Sequence, residues 1–264
     1  MIATEKSAHT IMYYVTYHIM QLSIILHMYS ILLYLARPHI GTLPYPYEEM
    51  GAVMKLLHVV ATPRNKSSRT LAISQEVLKH LHRKFSDLQV ETLDLFASDL
   101  PAIAGDNIDT KYTLMKGLKI DKSHQASWRE IEKLITHFLA ADICLVSVPM
   151  WNFSIPYALK YYIDCIVQPG YLFRFDERGV PTGLATGKKM IFVTTRGSDY
   201  SENSPYHASD FQEPYLRAIF GFCGITDMHF IHAQPLDITP EITKSALRTA
   251  MIAAKDLVNS FELA

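Results

Sequence analysis

The chain has 264 residues, a net charge of −1, and nearly equal numbers of basic (25) and acidic (26) residues. This length suits one well-buried domain, or one domain with an appendage. The balanced charge, without basic or acidic runs, argues against a nucleic-acid-binding protein and against a charged tail. The three cysteines lie far apart in apolar stretches, which predicts buried reduced thiols, and no histidine or cysteine spacing indicates a metal site.

Two interpretations compete for the N-terminal extension, residues 1–53. Residues 11–36 contain no Asp, Glu, Lys or Arg, and this length reaches the roughly 20 residues that span a bilayer. The extension could therefore carry a transmembrane anchor. Alternatively, it is an artefact of an upstream start, and translation begins at Met54. We favour the second interpretation, because the domain at 54–264 looks complete without an anchor. The expected location is then cytoplasmic, with a membrane-anchored protein as the alternative.

From Lys55 onward, strand patterns alternate with helical ones. This alternation predicts an α/β fold with a doubly wound, five-stranded parallel sheet in the order 2-1-3-4-5. A hairpin excursion over residues 171–184 is expected to cross the carboxyl edge of the sheet. The predicted strands are 56–61, 88–95, 142–148, 188–195 and 225–233, and the predicted helices are 69–84, 123–140, 155–167, 210–221 and 240–261.

The loop after the first strand, Thr62 to Thr70, combines several hydroxyl groups with the start of a helix. Hydroxyls, backbone N–H groups and a helix N-terminus are what a phosphate group needs. The loop has no glycine-rich dinucleotide fingerprint, so a terminal phosphomonoester fits it better than a pyrophosphate. Taken alone, a Ser/Thr-rich loop that caps a helix is the more common interpretation.

Two further loops follow the third and fourth predicted strands. Pro149-Met150-Trp151-Asn152-Phe153 offers rings and an amide next to a helix that Ser154, as its N-cap, and Pro156 are predicted to begin. In Thr194-Thr195-Arg196-Gly197-Ser198, the glycine lets the backbone approach a ligand closely. Because the strands before these three loops are neighbours in the predicted sheet, the loops meet at one edge. One loop suits a phosphate and two suit a flat ring, which together indicate an FMN site.

From Met54 onward the chain resembles the FMN-dependent NADH-azoreductase and quinone oxidoreductase family, which has a flavodoxin-like fold. The resemblance depends most on 149–153, on Phe173-Arg174-Phe175, on 182–189 and on Thr195-Arg196-Gly197, with support from 221–227. It implies one non-covalent FMN per subunit, and NADH as co-substrate. By position, the implied cofactor-binding residues are Thr62, Ser68, Arg69, Thr70, Met150, Trp151, Asn152, Phe153, Thr195, Arg196, Gly197 and Ser198.

The resemblance also implies an activity. NADH would give a hydride to the flavin, and a flat acceptor would then take two electrons, so that quinones become hydroquinones and azo compounds are cleaved to amines. Phe173, Phe175 and Trp151 could form the walls of the acceptor slot. No protein acid or base is implied, and Tyr206 and His207 are interpreted as surface-loop residues. A homodimer with the site near its interface is expected. A flavodoxin-type electron carrier is the alternative, although the balanced charge argues against it.

Overall fold

The structure is a computed structural model that describes residues 53–261, so the predictions for the preceding extension lie outside the described residues. Five parallel strands form one sheet in the order β2-β1-β3-β6-β7, and β4 and β5 form a separate antiparallel hairpin. The strands are β1 Lys55–Val60, β2 Gln89–Asp94, β3 Ile143–Pro149, β4 Phe173–Phe175, β5 Pro181–Gly183, β6 Lys189–Thr195 and β7 Asp227–Ala233. Without the hairpin strands this is the predicted order 2-1-3-4-5, which is confirmed.

In the part of the chain that the structure describes, six α-helices connect or flank these strands. None of the helices found between residues 53 and 261 is both long enough and apolar enough to cross a bilayer. The helices are α1 Arg69–Lys84, α2 Asp106–Met115, α3 Gln125–Ala140, α4 Tyr157–Ile166, α5 Glu213–Phe222 and α6 Pro240–Ser260, and short 3-10 turns occur at Asn65–Ser67 and His207–Ser209.

Each face of the sheet buries its own apolar cluster. On one face, side chains such as Leu57 and Val59 of β1 pack with Trp128 and Phe138 of α3 and with residues of α4 and α5. On the other face, Leu56 packs with side chains of α1 and α6. The alternation along β1 therefore separates the two clusters, as expected for a parallel sheet that is covered on both sides.

Helices α1 and α6 pack against each other and are joined at their ends by Lys84. The Lys84 ammonium donates to the carbonyl oxygens of Val258 (2.9 Å), Asn259 (2.9 Å) and Phe261 (2.6 Å) at the end of α6. Carbonyl groups at the end of a helix lack intrahelical partners and carry partial negative charge. The lysine therefore caps α6 and fixes the position of α1 beside it.

Helix α2 was not predicted, because its sequence lacks an apolar stripe. Its buried residues are Asn107 and Thr110, and each side chain donates a hydrogen bond to a nearby carbonyl oxygen. Asn107 Nδ2 donates to Ala102 O (2.8 Å), and Thr110 Oγ1 donates to Asp106 O (2.8 Å). A helix held by polar contacts of this kind gives no hydrophobic periodicity for a sequence pattern to detect.

The predicted start of the helix after β3 is wrong. Helix α4 begins at Tyr157 with Pro156 as its N-cap, and the Ser154 side chain does not cap it. Instead Ser154 exchanges two backbone hydrogen bonds with Trp151, both 2.9 Å long. A turn closed by Trp151 and Ser154 therefore occupies the place of the predicted first turn of the helix.

The predicted position of the hairpin is also wrong, because its base lies at the amino edge of the sheet. Gly183 of β5 packs so closely on the turn between α5 and β7 that a Cβ atom on it would lie 2.2 Å from Gly224 N. That turn precedes β7 and so lies at the amino end of the strands. The cause is connectivity, since α4 carries the chain back to this edge before β6 begins.

Candidate functional site

A cavity of about 260 Å³ lies at the carboxyl ends of β1, β3 and β6. The sheet order reverses between β1 and β3, and open α/β sheets bind ligands at such a point. The loops after β1, β3, β6 and β7 all contribute to its wall. The lining residues are Thr62, Arg64, Ser68, Arg69, Thr70, Pro149, Met150, Trp151, Thr195, Arg196, Gly197, Leu236 and Asp237.

One end of this cavity, the phosphate end, is formed by Thr62, Arg64 and the first turn of α1. The hydroxyl oxygens of Thr62 and Ser68 are 3.3 Å apart, and Ser68 Oγ accepts a hydrogen bond from Leu71 N (3.3 Å). The first N–H groups of any helix have no intrahelical acceptor, so Arg69 and Thr70 can offer theirs to a ligand. Two hydroxyls, a helix N-terminus and arginine side chains together match the chemistry of a phosphate group.

Arg69 and Asp237 form an ion pair at the rim of the phosphate end. Arg69 Nη1 lies 3.2 Å from Asp237 Oδ1, and both side chains are substantially exposed, at 41% and 72%. Exposed pairs of this kind contribute little to stability. The aspartate also lies against Gly197, where a Cβ atom would be 2.7 Å from Asp237 Oδ2. A residue without a side chain at position 197 therefore lets the loops after β6 and β7 meet.

The opposite end, the ring end, is formed by the loops after β3 and β6. Met150 N donates to Thr195 O (2.9 Å), which extends the pairing of these strands up to the cavity. The Trp151 ring packs in an aromatic cluster with Phe96 (centroids 5.9 Å apart) and Tyr157 (6.5 Å). Apolar Met150 and Trp151 thus give this end a surface on which a flat heteroaromatic ring can pack.

The loop at the ring end turns through two residues with left-handed backbone. Asn152 has φ 48° and Phe153 has φ 69°, and the flanking residues Trp151 and Ser154 are joined by reciprocal hydrogen bonds. These features define a two-residue turn of type I′, which prefers Asn followed by Gly. Phenylalanine in this conformation costs about 1 to 2 kcal/mol. Phe153 O accepts a hydrogen bond from Phe211 N (3.0 Å), which ties the turn to the segment before α5.

Arg196 lies behind the ring end and is almost completely buried, at 2% exposure. Its guanidinium group is held by Asp210 (3.0 Å), by Gln212 Oε1 (3.0 Å) and by Gln234 Oε1 (3.4 Å). Burial lowers the pKa of Arg196, while Asp210 and Glu213 oppose that effect. An arginine nevertheless stays charged in proteins, so this side chain fixes the loop after β6 through ion pairs.

The structure brings nine of the twelve predicted site residues to one cavity wall. Asn152, Phe153 and Ser198 do not line it, although the first two shape the turn beside it. The site residues predicted from the sequence omitted Arg64 and Pro149, which lie in the predicted loops, and also Leu236 and Asp237, which follow β7. Leu236 and Asp237 could have been identified from their position in the chain, because the loop after β7 also begins at the carboxyl edge of the sheet.

The aromatic residues of the hairpin do not line the cavity either, contrary to the expectation for Phe173 and Phe175. The Phe173 ring packs against Phe222 at the end of α5, with centroids 4.7 Å apart, near the amino edge. Tyr206 and His207 are likewise absent from the wall, and His207 Nδ1 lies 3.1 Å from Tyr200 O within its own loop. Trp151 alone of the predicted acceptor walls reaches the cavity.

A larger groove of about 890 Å³ runs along α6 and shares Arg69, Leu236 and Asp237 with the cavity. Its wall is mostly apolar and contains neither the hydroxyl groups of the first loop nor the ring end. Within residues 53–261, no cluster of His, Cys, Asp and Glu could hold a metal ion. The smaller cavity is therefore the candidate site, and its donor set and apolar end fit the phosphate and the ring of FMN.

Comparisons with known proteins agree with this fold. A family model described as flavodoxin-like fold matches residues 54–257. An FMN-dependent NADH:quinone oxidoreductase of Ruegeria pomeroyi is 39% identical over 71% of this chain and 92% of its own length. A relative with the same description from Pseudomonas fluorescens is 34% identical over 77% of this chain and 95% of its own length. The crystal structure of an azoreductase from Bacillus anthracis superposes with a TM-score of 0.71 and 26% identity, over 79% of this chain and all of that one.

Proposed function

The chain belongs to the flavodoxin-like family of FMN-dependent NADH:quinone oxidoreductases, and from this premise we propose that it reduces quinones to hydroquinones with electrons from NADH. One observation supports this most strongly. A single cavity at the switch point of the sheet joins a phosphate-binding end to an apolar ring end. FMN requires both features at one site. Loops that served only to cap helices and connect strands would not need to bring the two features together.

FMN, when bound, supplies the redox chemistry, since it accepts a hydride from NADH and passes two electrons to the acceptor. The chain's own groups bind and orient it. The hydroxyls of Thr62 and Ser68 and the N-terminus of α1 would hold the phosphate group. Met150 and Trp151 would pack against the ring. Arg196 is too fully enclosed by its partners to reach an acceptor, so its role is to hold the loop.

Among the described residues that line the cavity, Asp237 has the one carboxyl group, it is ion-paired with Arg69, and there is no histidine or tyrosine. Quinone oxygens can take their protons from solvent once electrons have arrived, so no protein acid or base is required. We therefore assign no catalytic acid or base. Because a structural relative is an azoreductase, we also propose that the enzyme cleaves aromatic azo compounds to amines in two such cycles.

The experiment that tests the proposal is an anaerobic absorption titration of the purified protein. We expect a flavin spectrum that bleaches when NADH is added and returns when benzoquinone is added. A colourless protein that stays colourless after incubation with FMN would overturn the proposal. A flavin that remains oxidised with NADH, but turns over with a separate reductase, would indicate an electron carrier instead.

We further propose a homodimer. The described residues around the ring end include exposed aromatic side chains, namely Phe153 (50%), Tyr157 (71%) and Phe211 (59%). Clustered exposed rings of this size are typical of protein interfaces. Sedimentation equilibrium tests this directly. A single species with twice the chain mass is expected, and Tyr157→Asp should shift it toward the monomer. A wild-type protein that remains monomeric at micromolar concentration would contradict the proposal.

The proposed location is the cytoplasm, and the proposed catalytic domain is residues 54–264. The match to the family model begins at residue 54, which supports that boundary. Cys144, Cys165 and Cys223 are buried free thiols, as is usual in a reducing compartment. Fractionation of the untagged protein, with N-terminal sequencing of the product, tests both points. Recovery in the membrane fraction, with residues 11–36 present, would favour the anchored alternative.

A further inference from the structure

A buried chain of polar side chains lies beneath the cavity and does not itself line it. His58 of β1 is 5% exposed, and Ser147 of β3 and Ser74 of α1 are completely buried. His58 Nε2 lies 2.8 Å from Ser147 Oγ, and Ser147 Oγ lies 2.6 Å from Ser74 Oγ. Both are good hydrogen-bond distances, so the three side chains form one connected chain.

The direction of each hydrogen bond in this chain follows from its last member. Ser74 Oγ donates its one proton to Thr70 O (3.1 Å). Ser74 must therefore accept from Ser147, and Ser147, having used its own proton, must accept from His58 Nε2–H. This order selects the imidazole tautomer with its proton on Nε2. Every proton in the chain then points toward the first turn of α1.

The chain ends at residues of the cavity wall. Thr70, whose carbonyl group receives the last proton, also places its hydroxyl 2.7 Å from Thr195 Oγ1 at the end of β6. Thr70 and Thr195 both line the cavity. Strands β1, β3 and β6 are thus tied to the N-terminus of α1 directly below the phosphate end.

Packing does not explain why these residues are polar. Ser74 lies in the stripe of α1 that faces the sheet, among Ile73, Val77 and Leu81, which are all completely buried. Alanine would fill that position, and burying three polar side chains carries a desolvation cost that only a complete set of hydrogen bonds offsets. The polar residues are explained if the N-terminus of α1 must be held in a defined position.

We propose that His58, Ser147 and Ser74 are positioning residues that set the first turn of α1 for binding the phosphate group of FMN. The inference depends on the proposed function, because it concerns the same cofactor. The three side chains touch no ligand themselves. They act through Thr70, by fixing where its backbone and its hydroxyl stand relative to Ser68 and Thr195.

The test compares FMN with riboflavin, which has the same ring and no phosphate, in fluorescence titrations of the apoprotein. We expect His58→Leu to weaken FMN binding about tenfold, as the loss of one well-oriented hydrogen bond would. Riboflavin binding should change less than about twofold. His58→Gln, which keeps an N–H donor near the Nε2 position, should restore most of the FMN affinity. His82→Leu, at an exposed position of α1, is the matched control and should bind both flavins normally.

A double-mutant cycle separates positioning from general loosening of the fold. Ser74→Ala should weaken FMN binding by itself, and adding His58→Leu to it should cause little further loss, because the path to Thr70 is already cut. Equal weakening of FMN and riboflavin in either variant would overturn the positioning role, and so would unchanged FMN binding. If the wild-type apoprotein binds neither flavin, the proposed function itself fails, and the inference fails with it.

Discussion

The two ends of the cavity are built in different ways. At the phosphate end, the regular first turn of α1 supplies the polar groups, and Ser68 and the buried side chains below it satisfy one another by hydrogen bonds. At the ring end, the surface comes from an irregular loop whose turn places Phe153 in the left-handed region. One end depends on hydrogen-bonded polar groups, whereas the other depends on a strained backbone held by its neighbours.

This difference reflects the different structural requirements of the phosphate group and the ring of a flavin. A phosphate group needs donors at defined positions, and a helix N-terminus provides these at little conformational cost. A flat ring needs backbone and apolar side chains in close contact. The ring end lies beyond the ends of the strands, so loops supply these groups. The strained turn is stable only because Phe211 and the Trp151–Ser154 pair hold it. Variants of the two ends should therefore change different quantities.

The largest expected effect is a loss of stability at acid pH caused by His58, which lies beneath the phosphate end. Burial lowers the pKa of His58 from 6.5 to about 4 in the folded protein. The folded state therefore resists protonation, and stability is fully present above pH 6.5 and lost as the pH falls toward 4. Between pH 7 and pH 4.5 the free energy of unfolding should fall by about 2 to 3 kcal/mol from this residue. Urea unfolding at the two pH values measures the loss.

His58→Gln is the control for that prediction, because glutamine does not titrate. Between the two pH values, this variant should lose about 2 to 3 kcal/mol less stability than the wild type. The chosen pH window avoids the titration of Glu213, a partly buried carboxylate. Although burial alone would raise it, His232 and Arg217 hold the pKa of Glu213 at about 2, so its contribution is lost only below pH 4.5. Identical pH dependence in the wild type and His58→Gln would show that His58 does not resist protonation.

Ser68→Ala should affect both binding and stability. The variant loses the N-cap of α1 and one hydroxyl of the phosphate end, so we expect about 1 kcal/mol less stability and about tenfold weaker FMN binding. Thr239→Ala is the matched control, since Thr239 caps α6 through Ile242 N (3.3 Å) and does not line the cavity. It should lose similar stability and keep its FMN affinity. Equal FMN affinity in both variants would mean that Ser68 is only a cap.

The smallest effect should come from the ring end, and it has the opposite sign. Phe153→Gly removes a side chain from the left-handed region, so the apoprotein should become more stable by up to about 1 kcal/mol. Asn152→Gly should change stability much less, because asparagine tolerates this conformation. Thermal unfolding of the three proteins measures the difference. A destabilised Phe153→Gly variant would show that packing of the half-exposed ring outweighs the strain.

The fold and most of the phosphate end could be predicted from the sequence, because both are local patterns. Buried strands such as β3 are nearly continuous apolar runs, and the hydroxyl residues of the Thr62-to-Thr70 loop are close together in the sequence. The rest depends on distant contacts. Ser154 was assigned to a helix cap because nothing in the sequence shows that it pairs with Trp151. Helix α2 has no apolar stripe, and the link from His58 to Ser74 joins three separate elements.

The measurement that tests the central claim most directly is the ratio of the dissociation constants of FMN and riboflavin for the wild-type apoprotein. If the N-terminus of α1 holds the phosphate group, two or more charge-assisted hydrogen bonds are lost with riboflavin, each contributing about 1.5 to 3 kcal/mol. We therefore expect FMN to bind at least about a hundredfold more tightly than riboflavin. Equal affinity for the two flavins would contradict the assignment of the phosphate end.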